Sequence, residues 1–154
     1  MSYVSDPIHS FFVAGDPVAQ PRPRACVRGG RAHVYNPTTA RAWRRLVAAA
    51  VGQQLVEGVG GTPPSSVPVR VDLGVRIPRA KSNYSTRSFS LRPSAPKHHL
   101  KKPDVDNLAK AILDELGPLI NDDRQIVALT VRKRYISPGE ESGVSIKIWL
   151  EPSE

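Results

Sequence analysis

Apolar and polar positions change period several times along the chain. Val67, Val69, Val71, Leu73, Val75 and Ile77 alternate with Pro68, Arg70, Asp72, Gly74 and Arg76, the period-two pattern of a half-buried strand. Val127, Leu129 and Val131 alternate within 125–136, and Val144, Ile146, Ile148 and Leu150 alternate within 143–151. SPGEESG between these two stretches reads as a turn, so they are expected to form a hairpin. HSFFVAG at 9–15 is a short apolar run that stops at Gly-Asp-Pro, and it predicts a first strand.

Two segments show helical spacing instead. Ala40, Trp43, Leu46, Val47, Ala50, Val51 and Leu55 form a stripe, with Arg41, Arg44 and Arg45 lying off it. Asn36-Pro37 is the expected start, Asn as cap and Pro at the first helical position, and the end falls near Gly58. Trp43 is expected in the core. Val105, Leu108, Ala109, Ile112 and Leu116 make a second stripe, with Asp106, Lys110 and Asp114 on another face and Asp104 at the cap.

The remaining segments are irregular. PVAQPRPR cannot be helix or central strand, because proline fixes φ and removes a donor; it reads as an extended basic arm. RAHVYN is a candidate strand that pairs with the arm across Gly29-Gly30. GVGGTPPSS is a loop, and residues 78–103 read as a long, mobile, basic loop. The order β-(β)-α-β-α-β-β predicts a small α/β (α+β) fold, one domain over 1–154, with a mixed sheet and two main helices.

Length and composition add exclusions. A chain of 154 residues suits one domain with its own core. The longest apolar run, LVAAAV, is far short of a membrane span, and the first residues lack a signal-peptide pattern. Cys26 is the single cysteine, so no internal disulfide forms and no thiolate metal cluster exists. A reducing cytoplasm is the expected location.

Charge changes the picture more. The formal net charge is +8. No acid occurs between Asp16 and Glu57, which enclose seven arginines, and none between Asp72 and Asp104, which enclose eight bases. Such tracts are the footprint of a polyanion binder. Against this background, six of the 14 acids fall between Asp104 and Asp123.

A capping Asp, early acids on a helix and an Asp-Lys pair all have ordinary structural roles. They leave Asp122-Asp123 unexplained, on a tight turn that leads into a strand. If that strand packs beside the helix, its start can bring a further carboxylate to Asp104 and Asp106. Three converging carboxylates call for a cation, and Mg²⁺ suits oxygen ligands, waters and substrate phosphate. Phosphodiester hydrolysis suits such a site, with Lys110 facing the charge on the phosphate.

GDPVAQPRPR, KPDVDNLAKAILDEL and NDDRQIVALTVRKRY closely resemble the RusA-type Holliday-junction resolvases, over residues 11–150. The resemblance implies a homodimeric, Mg²⁺-dependent endonuclease, with Mn²⁺ able to substitute, that nicks four-way DNA junctions symmetrically in recombination and repair. It implies catalytic, metal-holding roles for Asp104, Asp106 and Asp123 and a catalytic role for Lys110, with Asp122 a neighbour. It also implies a bacterial cytoplasm, with a phage or prophage as one source. Arg22, Arg24, Arg28, Lys101 and Lys102 are the expected phosphate contacts. Two alternatives share these residues: a nuclease on flaps or forks, and a non-catalytic basic DNA-binding protein whose acids are structural.

Overall fold

The computed structural model describes residues 5–35 and 37–152. In chain order the elements are β1 (His9–Ala14), β2 (Arg24–Arg28), β3 (Arg31–Tyr35), α1 (Arg41–Glu57), β4 (Val69–Ile77), α2 (Val105–Leu113), α3 (Gly117–Ile120), β5 (Ile126–Tyr135) and β6 (Gly143–Leu150). β1, β6, β4 and β5 form a four-stranded mixed sheet in that order, while β2 and β3 pair separately as an antiparallel ribbon. The fold is a small α+β domain. No helix among the described residues is long and apolar enough to cross a membrane.

The alternating valines explain the layering. Val69, Val71, Leu73, Val75 and Ile77 are all buried on one face of β4, alongside Ile148, Ile146 and Val144 of the antiparallel neighbour β6. Trp43, Val47 and Val51 of α1 and Leu108, Ala109, Ala111 and Ile112 of α2 join them in one core. The helices therefore cover the valine face.

Several expectations need correction. β5 and β6 are not a hairpin: β4 lies between them, parallel to β5 and antiparallel to β6. A β5–β6 hairpin would leave the most apolar strand on an edge, so burial of β4 on both sides wins. The connection crosses the end of β4, where Ile136 N–H donates to the Ile77 carbonyl at 3.0 Å and Glu140 pairs with Arg134 and Arg76. α1 starts at Arg41, not Pro37, because residues 38–40 turn first and Arg41 N–H donates to the Thr38 carbonyl. The expected cap at Asn36 lies outside the described residues. Leu46, Leu55 and Val105 are exposed, so each helical stripe is narrower than its periodicity suggests.

Residues 78–103 do form a loop, but it is folded on itself. Tyr84 bridges Leu91, Arg92 N–H donates to the Asn83 carbonyl, and the Arg79 guanidinium donates to the Pro96 carbonyl at 2.7 Å.

Gly143, opposite Ala14 at the start of β6, has φ +152°, and a Cβ there would run into the Val13 carbonyl and the Phe12 ring. Gly143→Ala is predicted to destabilise the fold by about 2 kcal/mol, read as a lower urea midpoint by circular dichroism. An unchanged midpoint would show that the β1–β6 seam tolerates a side chain.

Candidate active site

The acids depend on how α2 is seated. Its buried side is Leu108, Ala109, Ala111 and Ile112, which turns Asp106, Lys110 and Asp114 outward at i, i+4 spacing. Asp104 occupies the cap position, yet its side chain makes no capping bond. Both Asp104 and Asp106 are exposed, and neither forms an ion pair among the described residues. Lys110 is likewise free of an ion pair with Asp106 or Asp114 among those residues. The carboxylates are thus available to a ligand.

The turn into α2 is clamped from the sheet. Lys133 Nζ donates to the Pro103 carbonyl at 2.9 Å and to the Lys101 carbonyl at 3.0 Å. Lys133 is in phase with Val127, Leu129 and Val131, where alternation calls for an apolar residue. A lysine in that phase is the one signal of the clamp in the sequence, and the neighbouring bases mask it. His99 beside it is buried, not solvated, with its ring edge against Tyr135 at 5.1 Å between centroids. Burial, then the Lys133 charge, holds His99 below its ordinary pKa, so it is neutral at pH 7.

The proline-stiffened arm reaches the same place. Gln20 N–H donates to the Asn107 carbonyl at 3.0 Å, tying the arm to α2. Together they wall an open cleft of about 620 Å³, lined by residues that include Arg22, Arg24, Lys102, Pro103, Asp104 and Asn107. The structure therefore brings Arg22, Arg24 and Lys102 to Asp104. Lys101 lies at its edge through its clamped carbonyl. Arg28 is farther out, at the turn of the β2–β3 ribbon.

Asp122 and Asp123 sit elsewhere. Asp122 caps a 3₁₀ turn over Asp123–Gln125, accepting from Arg124 N–H at 2.9 Å and from the Arg124 guanidinium at 2.6 Å. These bonds pull its pKa down to about 2, so the pair holds at neutral pH and loosens only as the carboxylate protonates toward that value. Gln125 fixes the turn by donating to the Pro64 and Val67 carbonyls at 2.7 and 2.8 Å. Asp123 is left exposed and is the freer acid of the two.

Asp122 and Asp123 line a cleft with Asp114, at the far end of α2. Asp104 and Asp114 bracket that helix, so they stand about 15 Å apart at about 1.5 Å per residue. Asp104 and Asp106 lie together within one chain, and Asp123 does not reach them. No group of three acidic, histidine or cysteine side chains that could hold a metal occurs among the described residues.

A basic cleft whose floor carries unpaired carboxylates is the build of a domain that processes a polyanion. Residues 14–149 match the family Endodeoxyribonuclease RusA, and the chain belongs to that family. It is also similar to the uncharacterized protein YqaN of Bacillus subtilis (strain 168), with 37% identity over 146 residues, 90% of this chain and 93% of the relative. The class is therefore an endodeoxyribonuclease, a hydrolase of DNA.

Lys133→Met removes the clamp while keeping a long apolar stem. DNA cutting is predicted to fall about tenfold, the worth of a charged hydrogen bond, with DNA affinity and thermal stability nearly unchanged. Steady-state kinetics separates kcat from KM, and a loss confined to KM would show that Lys133 does not position Asp104.

Proposed function

We propose that this protein is a Mg²⁺-dependent, structure-selective endonuclease that resolves four-way DNA junctions as a homodimer in a bacterial cytoplasm. One observation carries the reading: Asp104 and Asp106, exposed and without ion-pair partners among the described residues, end a cleft whose other charged lining is basic. Exposed carboxylate oxygens fit a hard cation, and two of them with waters and phosphate oxygens suit Mg²⁺ or Mn²⁺. When bound, the ion would polarise a phosphoryl oxygen and lower the pKa of a water.

The chain's own residues do the rest. Arg22, Arg24 and Lys102 hold the phosphate backbone along the cleft, and the tie between Gln20 and Asn107 keeps the arm in register with α2. Lys110, one turn beyond Asp106, offers an ammonium to charge developing on the scissile phosphate. A four-way junction has two-fold symmetry, and so does the commonest kind of assembly, which supports paired cuts by two subunits.

The test incubates the protein with a four-way junction and with a matched linear duplex, first in Mg²⁺ and then in EDTA. Cutting is expected on the junction alone and only with the metal. Asp104→Asn, Asp106→Asn and Asp123→Asn should each fold and bind DNA in a gel shift yet fail to nick; near-normal cutting by Asp106→Asn would remove it from the site. Affinity should fall with salt, and replacing Arg22 and Arg24 together should flatten the log–log slope by about 0.9 for each phosphate no longer neutralised. An unchanged slope would place the arm outside the interface.

A further inference from the structure

The acids of one chain lie too far apart to share an ion, since Mg²⁺ holds its oxygens at about 2.1 Å. Asp104 sits where the Pro103 carbonyl meets Lys133, late in β5, whereas Asp123 lies just before β5 begins. β5 is an edge strand, unpaired on its outer side among the described residues. Its helix-side residues Val127 and Leu129 are 63% and 45% exposed, beside Val105 at 37%. An apolar stretch on a free edge is a pairing template.

We infer that a second copy of this chain pairs antiparallel along β5, and that each active site is completed by the partner's Asp123. This rests on the proposed phosphodiester-cleaving site. A two-fold axis through Ala128 sets Val127 against the partner's Leu129 and covers both. The same axis carries Asp122 and Asp123 of one chain to the Lys133 and Arg134 end of the other, so opposite charges meet. Arg124 falls opposite the partner's Arg132, but its guanidinium is already engaged by Asp122. Lys133 holds the turn that ends in Asp104, so the partner's Asp123 arrives on the side where Asp104 and Asp106 wait. The sheet becomes eight-stranded, and two composite sites face a two-fold substrate.

Composite sites have a signature that separate sites lack. In a heterodimer of Asp104→Asn and Asp123→Asn chains, one site collects both substitutions and the other has none. Co-expression with two different tags and tandem purification gives that heterodimer. It should nick one strand per junction at about half the wild-type rate per dimer, although each parent homodimer is inactive. An Asp104→Asn/Asp106→Asn heterodimer should stay inactive, because both sites then carry one of the two changes.

Assembly is tested without activity. Light scattering should report a dimer, and Ala128→Cys in a Cys26→Ser background should cross-link to itself under mild oxidation. Val127→Lys/Leu129→Lys should be a folded monomer by light scattering and circular dichroism. A wild-type protein that cuts no junction overturns the nuclease reading beneath the inference. Wild-type cutting without recovery in the mixed heterodimer overturns the composite site alone. A wild-type monomer, or absence of the cysteine cross-link, overturns the β5 interface.

Discussion

Parallel pairing of β4 with β5 governs the rest of the molecule. Two parallel strands cannot be joined by a tight turn, because the chain leaves at one end of the sheet and must return to the other. Residues 78–125 make that return. They fold back as a loop at the exit end of β4, then run down the valine face as α2 and α3 to the start of β5. Asp104 stands near the top of the descent and Asp123 at its foot. The connection that builds the sheet therefore parts the acids, and burial of β4 leaves no shorter route.

Some of this was legible from residues alone. Burial of one face writes itself into composition, so the β4 alternation, the Trp43 stripe and the buried side of α2 could be read directly. The family motif picked out Asp104, Asp106 and Lys110 at the start of one helix. Neighbour relations were harder. Periodicity describes one strand at a time, and SPGEESG looks the same whether its strands touch or straddle a third. Convergence of Asp123 on Asp104 was an inference from short sequence separation, but a helix between them sets distance by its length. Lys133 escaped because it disguises itself as an ordinary basic residue in VRKRY; only its phase with Val131 gives it away.

The charge pattern follows the same geometry. Basic residues gather on the arm and around the turn before α2, while the acids sit bare on the helix they border. Arg44 shows what a satisfied acid looks like here: its guanidinium meets Glu115 at 2.7 Å and removes that carboxylate from use. Asp122 is satisfied by Arg124 in the same way. Asp104 and Asp106 have no such partner among the described residues, although arginines lie close by in the cleft. Backbone ties, from Gln20 to Asn107 and from Lys133 to Pro103, hold the basic and acidic parts in fixed relation without neutralising either.

The β2–β3 ribbon has a different standing from everything else. Apart from Cys26 its residues are exposed on both faces, and it joins no larger sheet among the described residues. Two strands with no covered face contribute almost nothing to the stability of the domain. Side chains on this ribbon are thus free to change without disturbing the core, while α2 and β5 are constrained by burial. Descendants of such a protein can alter which DNA shapes or sequences they grip through the ribbon alone. Evolution of preference is thereby uncoupled from upkeep of the chemistry, and relatives with the same acids can diverge in what they cut.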